Sequence, residues 1–218
     1  MMNILAVFLS AVVGYLLGSL TFATVVSSLM KKQDVRQLGS GNAGMTNVLR
    51  NFGIGPASLT AIGDFGKGVL AVLAGWLICS LLTDINPIWG QYIGGAAAIL
   101  GHIFPVYFGF KGGKAVLVSA GVILVTQPLT LVALLLIFLL IVKLSKYVSL
   151  ASITVAITYP VLTIVNHFVT RQTIWIDTIF ATYVAVLVVY LHRSNIKRLL
   201  NGTENRVGQK KKEDNSAL

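Results

Sequence analysis

Acidic residues are scarce in this chain. Only seven of its 218 residues are Asp or Glu (Asp34, Asp64, Asp84, Asp177, Glu204, Glu213 and Asp214), against 17 Lys and Arg. So few carboxylates leave little from which to build a paired-acid catalytic site or a hard-cation cluster. Cys79 is the single cysteine and lies in an apolar run, which excludes an intrachain disulfide and a cysteine metal centre. Only 11% of residues are charged, where soluble domains carry about 25%. No polar stretch is long enough to fold separately, so residues 1–208 are expected to form one domain. Residues 209–218 read as a basic, polar, disordered tail. Met1 to Met30 carries no charge and so lacks the basic region of a secretory signal. A Walker loop, a Gly-x-Ser-x-Gly elbow and a His-x-x-x-x-Asp pair are also missing.

What is present is apolar: 56% of residues are hydrophobic and mean hydropathy is +0.82. The expected fold is an all-α polytopic membrane protein with seven transmembrane helices. The first span is Ile4–Leu29, and Lys31, Lys32 and Arg36 follow it at once. By the positive-inside rule the amino terminus is outside and the following loop cytoplasmic. The second span covers Pro56–Leu82 and carries Asp64 and Lys67, three apart and so able to pair on one face. Such a pair is either functional or a structural ion pair. The third span, Ile88–Phe108, is rich in small residues suited to close packing.

Ala115–Val142 poses the topological choice. Read as one helix, it sends the basic carboxy terminus outside. Broken at Gln127-Pro128, it forms a hairpin and keeps that terminus inside. The hairpin is chosen, at the cost of a short fourth span of about 18 Å against a core of about 30 Å. The sixth span ends near Phe168 and the seventh covers Ile174–Leu191. Fifteen of the 17 basic residues then fall in cytoplasmic segments, with Lys67 in a span and Arg171 outside. His167, near Arg171 at the outer end, reads as inert.

The four cytoplasmic segments are also the four that carry unusual polar motifs. Leu38–Gly53 is the densest. Gly39, Gly41 and Gly44 alternate with Ser40, Asn42, Thr46 and Asn47, and Arg50 follows. Glycines at this density let successive N–H groups form an anion nest, and Arg adds a planar fork suited to phosphate. The next segment ends in Lys111-Gly112-Gly113-Lys114, a cationic turn where a helix is about to start. His102 lies shortly before it, as either a core histidine or a substrate contact. Ser149 and Ser152 share a face at the start of the sixth span, as caps or contacts. His192 and Asn195 share a face at the mouth of the last span, whereas Arg193, Lys197 and Arg198 suit interfacial anchoring. Together these point to one cytoplasm-facing site that holds two phosphates and works by positioning and electrostatics.

Four of these runs carry a resemblance: Gly39–Asn47, Gly101-His102 through Phe104-Pro105 to Lys114, Tyr147–Leu150, and His192–Leu199. In this order they resemble the bacterial PlsY family of acyl-phosphate:glycerol-3-phosphate acyltransferases, over about Met1 to Gly208. Ala115 stands where that family usually has glycine, and Val118 where it often has a small hydroxyl residue. The resemblance implies acyl transfer from a fatty acyl phosphate to the 1-hydroxyl of glycerol 3-phosphate, giving lysophosphatidic acid and phosphate. This is the first acylation of bacterial phospholipid synthesis, in the cell membrane with the site facing the cytoplasm. It implies that Ser40, Gly41, Asn42, Gly44, Thr46, Asn47 and Arg50 hold the acyl phosphate. Lys111, Gly112, Gly113, Lys114, Ser149, His192 and Asn195 would hold glycerol 3-phosphate. Ser40, Arg50, Lys111, His192 and Asn195 would be catalytic. The base is left open among His192, His102 and the donor's own phosphate. No metal, no cofactor and no nucleic-acid partner is implied, and oligomeric state is left open. The rival readings are a small organic-anion transporter, against which no inverted repeat is visible, and a structural membrane subunit, which needs no glycine–asparagine loop.

Overall fold

The computed structural model describes residues 2–170 and 175–208. Arg171, the start of the seventh span at Ile174 and the tail 209–218 lie outside the described residues. Ten α-helices and two short 3-10 turns make up the fold, and no strand occurs among the described residues. The helices are α1 (Met2–Ser19), α2 (Phe22–Lys31), α3 (Met45–Phe52), α4 (Ile54–Leu82) and α5 (Ile88–Ile103). After them come α6 (Val116–Thr126), α7 (Pro128–Ser145), α8 (Val148–Thr170), α9 (Trp175–Leu191) and α10 (Arg193–Leu200).

Their lengths follow the apolar runs. Among the described residues, four stretches are long and apolar enough to cross a bilayer unaided: Met2–Lys31, α4, α7 and Val148–Val169. With 16 and 17 residues, α5 and α9 reach about 24–26 Å, somewhat short of a 30 Å core. At 11 residues, α6 reaches only about 17 Å. The expected break is present: α6 ends at Thr126, Gln127 is extended, and Pro128 opens α7. Proline suits that first helical position, where its missing N–H has no partner to lose.

The first span differs from the expectation of one continuous helix. It is interrupted at Leu20–Thr21, between α1 and α2. The Leu20 carbonyl released there accepts a hydrogen bond from Lys67 Nζ at 2.8 Å. The glycine-rich loop also differs, because its second half is helical as α3. That helix is strongly amphipathic: its buried Val48 packs with Ala23, Val35, Ala43 and Ala57, while Arg50 faces outward.

Glycine stitches α1, α4, α5 and α6 into one tight block. A Cβ on Gly18 would lie 2.1 Å from the Ala98 carbonyl oxygen, and Gly75 and Gly90 would each strike the other's carbonyl at 2.0 Å. Gly121 approaches Phe65 in the same way. Backbones packed this closely gain the dispersion contacts that hold helices together where lipid removes the hydrophobic drive. From Val122 to Asn201 the chain has no glycine at all, so α7, α8 and α9 pack through larger side chains. The seam between the two groups of helices holds an apolar cavity.

At one end of this seam lies a buried polar network. Tyr92 Oη donates to Asp177 Oδ1, and His167 Nε2 lies 3.2 Å from Asp177 Oδ2. His167 is therefore not inert: it ties α8 to α9. Gln127 Nε2 donates to Tyr159 Oη at 3.0 Å, and Thr163 Oγ1 donates to Gln127 Oε1 at 2.9 Å.

Candidate active site

The glycine-rich loop is organised by Asn47. This side chain is 2% exposed, and its Nδ2 donates to the carbonyls of Val35, Leu38 and Asn42 at 2.9–3.1 Å. Its Oδ1 accepts from Ser40 N at 3.2 Å and from Asn51 Nδ2 at 3.1 Å. Every polar atom of Asn47 is thus committed to the loop, and no donor remains for an anion. Gly39 takes φ +57°, and a Cβ there would lie 2.6 Å from Asn47 Oδ1. Only glycine meets both demands. Gly41, at φ +70°, turns the chain again. Ser40, Gly41 and Asn42 are left facing the site, while Gly44 and Thr46 begin α3.

The lysine turn is fastened in a similar way. Gly112 N donates to Ile103 O and Gly113 N to His102 O, both at 3.1 Å. A Cβ on Gly112 would sit 1.9 Å from His102 O, and one on Gly113 2.3 Å from His102 Nε2. The two glycines therefore let the turn lie flat on the end of α5. Their N–H groups serve that attachment and are not free to bind an anion. Ala115 caps α6 at φ +63°, a left-handed conformation that explains why a related chain would carry glycine there. Val118 is fully buried, and its carbonyl receives Gly68 of α4.

Beneath the turn lies a buried charge cluster. Asp64 and Lys67 form an ion pair at 2.8 Å. Lys67 Nζ also lies 2.9 Å from His102 Nδ1. All three residues are at most 3% exposed. Thus Asp64, Lys67 and His102 support the lysine turn from below, and none of them lines the depression described next. Arg36 fastens the turn from above. It forks onto Asp34 and donates Nη1 to Phe108 O at 2.6 Å and to Lys111 O at 3.3 Å.

The loops converge on a polar depression of about 250 Å³, lined by Ser40, Gly41, Asn42, Lys114, Arg193, Ser194 and Arg198. Lys114 Nζ donates to Asn195 Oδ1. Asn195 Nδ2 donates to Glu204 Oε1 at 2.8 Å, and Arg198 Nε donates to Glu204 Oε2 at 2.6 Å. Burial, then the nearby Arg198 and Arg50, push Lys114 down to about 8 against the opposing pull of Glu204. Arg50 is exposed and reaches Asn205 O through Nη2 at 3.4 Å.

His192 joins α9 to α10 at a bend of 57°. It is 4% exposed. Its Nδ1 lies 2.8 Å from Val188 O, which assigns the proton to Nδ1 and leaves Nε2 with a free lone pair. Burial, and then Lys114, push His192 down to about 4. Ser149 lies near Glu204, and its hydroxyl has no hydrogen-bond partner among the described residues. Ser152 instead donates to Val148 O and lines the apolar cavity. Lys111 is exposed at the rim and does not line the depression.

Sequence reasoning passed over Glu204 and gave Arg193 and Arg198 only an anchoring part. The available signal was spacing: Asn195 and Arg198 are three apart, so one acid can bind both.

Comparison with known proteins agrees with this architecture. The family model described as glycerol-3-phosphate acyltransferase matches residues 8–202. A glycerol-3-phosphate acyltransferase of Syntrophomonas wolfei is 43% identical, over 90% of this chain and 94% of that protein. One from Clostridioides difficile is 39% identical, over 96% of this chain and all of that one. Two crystal structures of PlsY (YgiH), an integral membrane glycerol 3-phosphate acyltransferase, superpose with TM-scores of 0.80 and 0.78. The first is the glycerol 3-phosphate form, 37% identical, and spans 93% of this chain and 96% of its own. The second is the lysophosphatidic acid form, 36% identical, and spans 93% and 95%. The chain belongs to the glycerol-3-phosphate acyltransferase family.

Proposed function

We propose that this acyltransferase moves a fatty acyl group from acyl phosphate to the 1-hydroxyl of glycerol 3-phosphate. The reaction releases lysophosphatidic acid and inorganic phosphate. The observation that carries the reading is convergence. Lys114, Arg193 and Arg198 meet the Ser40–Asn42 loop at one polar depression. Asn195 bonds Lys114 beside it, His192 lies within reach of the Lys114 charge, and an apolar cavity opens next to the depression. Two phosphates and one acyl chain need that combination of surfaces.

The chemistry follows from the donor. An acyl phosphate is a mixed anhydride and needs no covalent enzyme intermediate. The 1-hydroxyl oxygen attacks the acyl carbonyl carbon and forms the ester bond. The bond from that carbon to the bridging phosphate oxygen breaks, and phosphate leaves with the electron pair. The hydroxyl proton passes to His192 Nε2 or to the departing phosphate. His102 has no such role, because it is buried against Lys67. Ser40, Gly41, Asn42 and Thr46, with the glycine turn ending at Gly44, cradle the donor phosphate, and Arg50 meets its growing charge. Asn47 acts by holding that loop in shape. Lys114, Asn195 and Ser149 hold glycerol 3-phosphate. Gly112 and Gly113 set the height of Lys114, and Lys111 draws the anion in from the rim.

The reading places residues 1–208 in one seven-span domain of the bacterial cell membrane. The amino terminus lies outside, and the active site, carboxy terminus and basic tail lie in the cytoplasm. The short α6 is the fourth span, and the bilayer supplies the acyl donor from the side. The test is direct. Purified protein is given acyl phosphate and glycerol 3-phosphate, and lysophosphatidic acid is measured. Product with acyl phosphate is the expected result; product only with an acyl thioester would replace the donor assignment.

A further inference from the structure

The apolar cavity has a definite mouth and a definite floor. It measures about 140 Å³ and lies between α6, α7, α8 and α9. Three of its lining residues sit at the edge of the polar site. Val116 is two residues past Lys114, Ser152 is one turn beyond Ser149, and the Val188 carbonyl holds His192. Each helix thus passes from polar site to apolar wall within about one turn. At the opposite end stands Tyr159, which is 1% exposed. Its hydroxyl is pinned by Gln127, the hinge between α6 and α7, and Gln127 is itself held by Thr163. A side chain tied into a buried hydrogen-bonded pair does not swing aside without loss.

The spacing of mouth and floor is fixed by the helices. From Ser152 to Tyr159 on α8, and from Val116 to Ile123 on α6, is seven residues, about 10 Å. That length accommodates about eight methylenes of an extended chain with carbon–carbon bonds near 1.5 Å. Beside the floor and on its mouth side, Leu135 on the cavity wall is half exposed at the outer surface of α7, which gives a longer chain a way out toward lipid.

We propose that this cavity grips only the first eight or so methylenes of the acyl donor, with Tyr159 as a floor that turns the rest of the chain outward past Leu135. The proximal chain is then read for shape, and the distal chain is not. The inference rests on the acyl-transfer reading above and adds to it a specificity determinant, Tyr159.

Acyl phosphates of equal carbon number separate the two zones, because they partition alike into a bilayer. The native chain in lipid vesicles is assayed with a straight hexadecanoyl donor and with isomers bearing one methyl branch. A branch near the fifth carbon should lower kcat/KM about tenfold or more, since a close-packed apolar wall rejects added bulk. A branch at the far end should leave it unchanged. Ala156→Leu, which narrows the cavity one turn short of Tyr159, should lower the long-to-short-chain ratio of kcat/KM about tenfold. Because that readout is a ratio, a partial loss of folded protein does not alter it. Equal rates for both branched donors, or an unchanged ratio in the variant, overturn the proposal. Failure of the straight donor itself would instead refute the acyl-transfer reading.

Discussion

Lys114 Nζ donates a hydrogen bond to Asn195 Oδ1 across 81 residues of sequence. That contact brings the lysine turn against the last helix, where the proposed function puts the acceptor. The Asn195 amide is simultaneously held by Glu204, so it presents its oxygen and not its nitrogen to the lysine. The lysine in turn lies close enough to His192 to help depress its basicity.

This geometry predicts the pH profile of kcat/KM, which reports groups on the free enzyme. His192, pushed down to about 4, stays neutral and able to accept a proton through the range where an ordinary histidine would charge. The acid limb should therefore fall near pH 4, not near 6.5. Lys114, pushed down to about 8, loses its proton as pH rises through that value, so acceptor binding should weaken above pH 8. Lys114→Arg keeps the charge at every accessible pH and should flatten the upper limb even if the plateau is lower. An upper limb unmoved by that change would remove Lys114 as its origin.

The buried pair of Asp64 and Lys67 predicts a stability effect. Asp64→Asn leaves the Lys67 ammonium with the Leu20 carbonyl and His102 but without its counterion. Breaking a buried pair from one side costs about 3–5 kcal/mol. The Tm of the detergent-solubilised variant should fall well below that of the native chain. Lys67→Met combined with Asp64→Leu should regain part of the loss. A variant as stable as the native chain would show that the pair is not dry.

Much of this architecture was legible in the sequence. The Gln127-Pro128 break followed from where the basic residues had to lie, and the pairing of Asp64 with Lys67 followed from helical spacing. Asn47 was harder. The sequence reads it as an anion ligand like the loop residues around it, yet its three acceptors, Val35, Leu38 and Asn42, are carbonyls. Backbone carbonyls leave no trace in sequence. The glycines of the lysine turn were misjudged for the same reason, since their partners are the last carbonyls of α5. The spacing of Asn195 and Arg198 marks a place for an acid, but Glu204 sits past the end of α10, where helical spacing does not say which acid fills it.

The proposed seven-span arrangement predicts which residues face outward. Asp84 and Asn201 are both exposed, and the topology puts them on opposite sides of the membrane. Since Cys79 is buried, cysteines introduced at either position report that position alone. In intact cells Asp84→Cys should react with an impermeant maleimide, and Asn201→Cys should react only after lysis. Labelling of both from outside would exclude the arrangement.

Chelation tests whether a metal takes part. Among the described residues the carboxylates are spread from Asp34 to Glu204, and three of them are engaged: Asp34 with Arg36, Asp64 with Lys67, and Glu204 with Arg198. A hard cation needs several free oxygens together. Activity should therefore persist in excess chelator. Loss of activity with recovery on added magnesium would overturn the expectation.

The last prediction separates the two phosphate sites by kinetics. In the proposed reading Arg50, on α3 after the glycine-rich loop, serves the donor, and Lys114, bonded to Asn195, serves the acceptor. Arg50→Lys keeps the charge and loses the planar fork. If Arg50 meets charge that grows as phosphate departs, kcat should fall more than the KM for glycerol 3-phosphate rises. The fall should be on the order of 10- to 100-fold, below that of a fully buried donor, because Arg50 is exposed. Lys114→Ala removes ground-state binding and should raise that KM, by an amount equivalent to about 2–4 kcal/mol for a buried charged contact. Lys197 supplies the control. It is exposed on α10, two residues after Asn195 and so on a different face of the helix, and it does not line the depression. Lys197→Ala makes the same charge change as Lys114→Ala and should alter neither parameter more than about twofold, the scale of an exposed charge. Equal losses in all three variants would mean that the basic residues act as a diffuse field, and that the division into donor and acceptor sites is wrong.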